Sequence, residues 1–548
     1  MMNELSVLVG GQAGDGIRQA GVIISKLLNS FGYRIFMYYD YPSLIRGGHN
    51  FSIVRASKEK IQASRDYVDI ILALNQETID KHRRKLTKDG FIIFDSDTAK
   101  AEGIGVPATK IIKEIKGLPI MRGMTLIGAL ARSIGIDEKY FENIIKRSVP
   151  AKIELNIKVA KEGYARSRNI LKLENLDQKP MPLLFGNEAL ALGAVKAGLD
   201  IYIAYPMTPS SSILHYLAAY ARDFKIAVVH PENEIAVITM AIGAAYSGAR
   251  AMVGTSGGGF ALMTESLSLA AMSETPIVIV VSQRPGPSTG VPTYTMQGDL
   301  HFILNAGHGE FIRFVVAPGD AEEAFYYTAE ALNIAWKYQI PSLVLLDKHL
   351  SESLYSFDEE VVGKVKVEES LLWDGKGEYK RYLITESGIS PLAFPGTHNA
   401  IIKATSYEHD EYGITIEESE RIKEMTEKRL RKYNLLKEEV EKMESVKVFD
   451  RGSQEAVITW GSTKGVCEEV TGNLGITLVQ PIVLEPLPKK IRTVLKDVKK
   501  RIIVEVNATG QLRRLLENNG IKIHYTILKY DGRPFEVEEL EEKIKEVL

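Results

Sequence analysis

Apolar and polar residues fall along this chain in blocks that predict strands and helices in turn. From Ser6 the run "SVLV" reads as a buried strand and "GGQAGDG" as a glycine-rich turn. The stretch after it carries apolar residues at Ile17, Ala20, Ile24, Leu27, Leu28 and Phe31, one stripe on a helix. "RIFMYY" predicts a second strand ending at Asp40, and "VDIILAL" and "GFIIFD" predict two more with helical stretches between them. Such alternation predicts a parallel, doubly wound sheet. This first α/β unit is expected over 1–175, followed by a linker, "LENLDQKPMP".

A second α/β unit is expected over 183–355, beginning at "LLFGNEALALGAVKAGL". Its strands are "IYIAY", "IAVVH", "RAMVGT", "PIVIVV" and "PSLVLLD". Residues 356–450 form a different, connecting segment with the loop "ESGISPLAFPGTHN" and a charged stretch. There Ile422, Met425, Tyr433, Leu436, Val440 and Met443 give one apolar stripe, predicting a long bracing helix; a recognition surface is the alternative. From "EAVITWGS" a third α/β unit runs over 451–548. The fold class is therefore α/β, with three doubly wound or open domains.

At 548 residues the chain is too long for one core. Its 68 basic and 70 acidic residues nearly cancel, and no basic run carries interleaved aromatics, so no nucleic-acid partner is expected. No apolar stretch approaches the roughly 20 residues that span a bilayer. The start, "MMNELSVLVGG", enters a strand directly, so a cytoplasmic location without membrane contact is expected. The single cysteine, Cys467, excludes an intrachain disulfide and a cysteine-ligated cluster within this chain. Ten histidines are scattered, and the nearest pair, His301 and His308, lacks the spacing of a metal helix. A redox centre is expected on another polypeptide.

Two glycine loops follow predicted strands. In "GGQAGDG" the third glycine of a dinucleotide fingerprint, after Gly14 and Gly16, would fall at Gln19, so NAD is not predicted. A phosphate or nucleotide-tail ligand at the helix start and a simple tight turn both remain open. The same loop contains "GDG", which opens the diphosphate motif of thiamine diphosphate enzymes. The asparagine that completes the motif would fall near Tyr41 to Leu44, where none stands. The second loop, "VGTSGGGFALMTESLSLA", has Gly257, Gly258 and Gly259 in succession. Backbone can approach a ligand there, with the positive end of a helix behind it. A crowded strand-to-helix corner is the alternative.

Taken in order, "YPMTP", "HPENEIAVITMAIGAAYSGARAMVGTSGGG" and "VSQRPGPSTGVPTYTMQGDL" resemble the large subunit of a 2-oxoacid:ferredoxin oxidoreductase with fused gamma and alpha parts. "GGQAGDG" and "LIRGGHN" are similar to the gamma part, while "VEVNATGQL" and "KYDGRPF" are similar to the transketolase-like C-terminal domain. The middle unit resembles a pyrimidine-binding thiamine diphosphate domain. The resemblance implies that thiamine diphosphate is shared with a beta subunit carrying the diphosphate motif, Mg2+ and a [4Fe-4S] cluster. It implies a heterodimer or a dimer of heterodimers. The implied reaction turns a 2-oxoacid, coenzyme A and oxidised ferredoxin into acyl-CoA, carbon dioxide and reduced ferredoxin.

Residue roles are carried over from that resemblance. Glu234 is the counterpart of the glutamate that hydrogen-bonds the aminopyrimidine ring; an acid complementing a helix dipole, like Glu232 in the same turn, is the alternative. Thr208 is the counterpart of the threonine that hydrogen-bonds the 2-oxoacid, with Pro206 and Pro209 narrowing its freedom. A helix cap by Thr208 or Ser210 is the alternative. Arg284, after the strand "PIVIVVSQ", is implied to hold the substrate carboxylate, against a surface ion pair. Tyr205, Pro206, Thr255, Ser256, Gly257 and Gly258 are implied to line the cofactor.

Met207 stands where isoleucine is usual, and Tyr294 and Met296 where lysine and glutamate are common, which weakens the case for a dicarboxylate such as 2-oxoglutarate. Pyruvate, branched-chain and aryl 2-oxoacids are the other candidates. Coenzyme A is implied to reach the gamma part, with Arg46 a candidate contact. A non-catalytic assembly subunit and a nucleotide-dependent dehydrogenase are the rival readings.

Overall fold

A computed structural model describes residues 4–44 and 47–548. Arg46 lies outside the described residues. The chain divides into two compact units. The first comprises Met1–Phe185, Glu352–Asp358 and Phe535–Glu542; the second comprises Gly186–Ser351, Glu359–Pro534 and Lys543–Leu548.

The first unit is built on an eight-stranded sheet. Its spatial order is Ile104–Val106, Leu86–Asp95, Val68–Ala73, Glu4–Gln12, His49–Ser57, Arg34–Asp40, Leu354–Ser356 and Leu183–Phe185. The helix Ile17–Asn29 buries its predicted apolar stripe in this unit's core. The sheet is mixed rather than parallel. Glu4–Gln12 runs parallel to Val68–Ala73 but antiparallel to His49–Ser57, which is antiparallel to Arg34–Asp40 in turn. Residues 41–48 join the last two, too short a connection for the helical crossover that parallel neighbours need. The strand His49–Ser57 escapes sequence periodicity because His49, Asn50, Ser52, Arg55 and Ser57 are all buried polar residues. Arg55 pairs with Glu4 at 2.5 Å, as a buried cation must.

The second unit holds two sheets. The larger has the order Val483–Glu485, Phe314–Val316, Pro341–Asp347, Ile277–Gln283, Ala251–Thr255, Ile201–Ile203 and Ala227–Val229. All neighbours are parallel except Val483–Glu485, which is antiparallel to Phe314–Val316. The central strands Ile277–Gln283 and Pro341–Asp347 are apolar runs buried throughout, as parallel strands covered by helices require, while the edge strand Ala227–Val229 is partly exposed. The smaller sheet has the order Val446–Phe449, Thr477–Pro481, Glu455–Ile458, Lys500–Glu505 and Tyr525–Leu528.

One consequence of this strand order places the site. Ile277–Gln283, Ala251–Thr255, Ile201–Ile203 and Ala227–Val229 are successive parallel neighbours. Their carboxyl ends therefore lie along one edge, where open parallel sheets bind ligands. The loops leaving that edge begin at Arg284, at Ser256, at the "YPMTP" turn and ahead of Glu234.

The helix Ser419–Lys442 spans most of the charged stretch. It buries Met425, Leu436 and Val440 as the stripe predicts, and also Lys428 and Lys432. Both lysines meet the buried Glu274: Lys428 Nζ lies 2.5 Å from its carboxylate, and Lys432 Nζ contacts the other oxygen. Burial alone would raise the Glu274 pKa, but the two ammonium groups overcome it and hold the carboxyl ionised, below the usual carboxylate range. Burial, and sharing one carboxylate with Lys432, push Lys428 the other way, below the normal lysine range.

Candidate active site

Glu234 opens the helix Glu234–Tyr246, whose N-cap Asn233 accepts a hydrogen bond from the Ala236 N–H. With the cap supplied by Asn233, the glutamate carboxyl is not needed there. It turns inward, only 5% exposed, and makes no hydrogen bond or ion pair with any described residue. Glu232, its rival in sequence, is exposed. A carboxyl buried without partners among the described residues is costly unless something else meets it.

The glycine loop supplies the room. Thr255 ends its strand fully buried, and Ser256 caps the helix Gly257–Met272 with extended backbone. The Ser256 hydroxyl is buried without a hydrogen-bond partner among the described residues. A Cβ on Gly259 would collide with Thr255 Oγ1 and stand 2.7 Å from Glu234 Oε1. A Cβ on Gly257 would stand 2.6 Å from Asp299 Oδ2. Thus the successive glycines let two carboxyl groups close on the first turn of one helix. Gly258, between them, is exposed.

The "YPMTP" turn crosses the same edge. Met207 Sδ lies 3.9 Å from Thr255 Oγ1, so the methionine forms an apolar wall against the glycine loop. Tyr205 packs beside His230 with ring centroids 6.0 Å apart, and Pro206 is exposed. Neither capping alternative is used. The Ser210 hydroxyl bonds back to the Met207 carbonyl at 2.8 Å, and the helix Ser211–Ala219 has no side-chain cap. The Thr208 hydroxyl makes no hydrogen bond with described residues. Asn187 Nδ2 donates to the Pro209 carbonyl at 2.8 Å and fixes the turn from below.

Arg284 Nη1 donates to the Thr208 carbonyl at 2.7 Å. The guanidinium is half-buried and forms no ion pair with a described residue, so the surface-pair alternative fails. Burial lowers its pKa while the charge on Asp299 opposes that shift. Asp299 itself is pushed up to about 6 by burial, against the pull of Arg284. The strand order thus brings Thr208, Glu234, Thr255, Ser256, Gly257 and Arg284 to one place.

Sequence reasoning missed what holds the segment carrying Asp299. Gln297 donates to the Trp460 carbonyl at 2.8 Å and accepts from Thr463 Oγ1 and the Val506 N–H. Gln511 Nε2 donates to the Gly298 carbonyl at 2.5 Å, and the Thr295 N–H donates to Gly532. Trp460 and Thr463 follow the strand Glu455–Ile458 of the smaller sheet, while Val506, Gln511 and Gly532 come from the "VEVNATGQL" and "KYDGRPF" stretches. Arg533 stacks on the Tyr294 ring with its guanidinium carbon 3.6 Å from the centroid. The stretch "TMQGDL" holds a single side-chain amide, Gln297, which no periodicity singles out.

Comparison with known proteins shows which family the chain belongs to. The thiamine diphosphate-binding model of pyruvate flavodoxin/ferredoxin oxidoreductases matches residues 192–428, and the pyruvate ferredoxin/flavodoxin oxidoreductase model matches residues 6–166. A 2-oxoacid:ferredoxin oxidoreductase alpha subunit of Saccharolobus solfataricus is 33% identical over 622 aligned positions, covering 100% of this chain and 98% of the relative. The chain belongs to the 2-oxoacid:ferredoxin oxidoreductase family. A 2-oxoglutarate synthase subunit KorA of Methanocaldococcus jannaschii is 32% identical over 370 positions, 66% of this chain and 98% of the relative. A solved 2-oxoglutarate:ferredoxin oxidoreductase from Magnetococcus marinus, with 2-oxoglutarate, coenzyme A and succinyl-CoA bound, superimposes with a TM-score of 0.91 at 31% identity. That likeness covers 100% of both chains. The activity class of the family is a thiamine diphosphate-dependent oxidoreductase acting on 2-oxoacids and ferredoxin.

Among the described residues no group of three or more His, Cys, Asp or Glu could hold a metal ion. No helix among them is long and apolar enough to cross a membrane. Asp15 of the "GDG" stretch accepts from the Gln12 N–H and pairs with Arg122 at 2.5 Å, so its carboxylate already serves its own unit.

Proposed function

We propose that this chain contributes the pyrimidine side and the substrate side of a two-chain 2-oxoacid:ferredoxin oxidoreductase site. A beta subunit would bring the diphosphate motif, Mg2+ and a [4Fe-4S] cluster. The observation that carries the reading is Glu234, a buried carboxyl without a described partner against the glycine loop. When bound, thiamine diphosphate supplies the nucleophilic carbon and the electron sink for decarboxylation. Glu234, Thr255, Ser256, Gly257 and Gly258 would hold its pyrimidine half, with Tyr205 and Pro206 at the margin. Glu234 would hydrogen-bond the pyrimidine ring and fix where it carries its proton.

Arg284 keeps one N–H on the Thr208 carbonyl and offers the others to the substrate carboxylate. That bond holds the threonine backbone, so the Thr208 hydroxyl faces the bound acid from a fixed turn. Met207 excludes water beside them. The guanidinium of Arg533 on Tyr294 offsets the missing lysine, and 2-oxoglutarate belongs among the candidate substrates with pyruvate. Coenzyme A would accept the acyl group and ferredoxin the electrons.

Ile235 and Met240 on the Glu234 helix and Leu262 on the glycine helix are exposed apolar residues beside the site. This rim is where the beta subunit would close over the cofactor. Cys467, the one cysteine, is buried and pushed up in pKa by that burial, so it cannot stand in for a cluster. Glu234→Gln in the co-purified complex should lower kcat by about a hundredfold or more, with thiamine diphosphate still bound. Undiminished turnover would favour an assembly subunit instead.

A further inference from the structure

Asp299 is the charged group at the site for which the reading above has no task. Its backbone N–H donates to Gln283 Oε1 at 2.9 Å, and Gln283 is itself buried and donates to the Leu346 carbonyl. The preceding carbonyl, Gly298, is held by Gln511. Its carboxyl lies against the first turn of the glycine helix, in the space that only glycine at 257 leaves. It makes no hydrogen bond or ion pair there with a described residue. Arg284 is the residue after Gln283, whose side chain holds the Asp299 N–H, so the two side chains share this edge; each feels the other's charge without forming an ion pair. Of the other titratable groups nearby, Glu234 faces the loop from across Gly259, and His301 follows two residues on, its backbone N–H bound to Gln511.

We propose that Asp299 competes with the substrate carboxylate for Arg284, so that a 2-oxoacid binds together with one proton. This rests on Arg284 receiving the substrate carboxylate, as proposed above. One guanidinium pairs one carboxylate well, whereas two carboxylates around it repel, and the more buried of the two takes a proton. The proton comes from solvent and goes to the Asp299 carboxyl, while the substrate stays ionised against Arg284. No other bond forms or breaks. Asp299 is thus a specificity-determining residue that acts through Arg284: it sets the affinity for the acid and makes it depend on pH. Burial already raises the Asp299 pKa to about 6 before an acid arrives, which puts the exchange within the working range.

The test uses the complex of this chain with its partner, loaded with thiamine diphosphate. Oxamate, which has the carboxylate and carbonyl of a 2-oxoacid but does not turn over, is the probe. Its Kd should rise between about pH 6 and pH 8 by up to about tenfold per pH unit, with about one proton taken up per site. In Asp299→Asn the Kd should be flat across that range and lower than native at the alkaline end, and proton uptake should vanish. The KM for the turned-over acid should follow the same pattern while kcat keeps its own profile. A merely structural aspartate would give Asp299→Asn a weakened Kd with the native pH slope retained, which overturns the proposal. If that variant fails to assemble, the native complex decides: no proton uptake with oxamate overturns it. A complex that turns over no 2-oxoacid would fail the functional reading, whereas turnover with a pH-independent Kd fails only this inference.

Discussion

Among the described residues Arg284 donates only to the Thr208 carbonyl, and on the proposed function its remaining N–H groups serve the substrate carboxylate. A lysine at this position has no fork, so it cannot keep that bond and pair a carboxylate bidentately. Arg284→Lys should raise the KM for the 2-oxoacid by about ten- to a hundredfold, with a smaller effect on kcat, in steady-state dye reduction by the two-chain complex. An unchanged KM would remove Arg284 from substrate binding. Glu234, Thr208 and Arg284 were singled out through the resemblance to the family, and the parallel sheet collects their positions at one edge. Asp299 and Gln297 were not. Asp299 is held by Gln283 and Gln297 by Trp460 and Val506, with Gln511 on the Gly298 carbonyl between them, and no local period connects these positions.

Among the elements, the helix Ser419–Lys442 shows how a charged stretch becomes interior. Its apolar stripe predicted a bracing helix, yet Lys428 and Lys432 lie on the buried face with Met425, Leu436 and Val440. A sequence pattern sorts lysines outward because it cannot see Glu274, which sits just past the end of the glycine helix. Glu274→Ala would strand two buried ammonium groups and should destabilise this region by about 3–5 kcal/mol, read as a lowered thermal midpoint. Replacing the glutamate and both lysines with apolar residues of similar volume should restore most of that loss. A single alanine variant as stable as the native chain would show that the cluster bears no weight. The strand His49–Ser57 escaped for the same reason: its buried arginine is neutralised by Glu4, a partner on another strand.

At the scale of the whole molecule, the second unit is stitched by buried polar bonds between its two sheets. Ser462 Oγ donates to Asp347 at 2.6 Å, Lys464 pairs with Asp320, and Gln480 Nε2 donates to Glu323 at 2.7 Å. Glu505 accepts from the Trp460 indole, from Asn507 and from the Leu512 and Arg513 N–H groups at the start of a helix. This seam carries the segment bearing Asp299, so the smaller sheet serves the site without contributing a reacting group. The alternation of strands and helices made the α/β class legible. The mixed pairing of the first sheet was hidden because connection length, not composition, fixes strand direction.

On the proposal that a beta subunit brings the diphosphate half of the cofactor site, this chain, with its one buried cysteine, should not turn over alone. The most direct measurement is 2-oxoacid-dependent reduction of a viologen dye with thiamine diphosphate and coenzyme A, testing pyruvate, 2-oxoglutarate and 2-oxoisovalerate. The purified single chain should be inactive, and the chain co-purified with its natural partner should reduce the dye with at least one acid. Full activity of the single chain, or none of the complex despite bound thiamine and an intact cluster, would contradict the account.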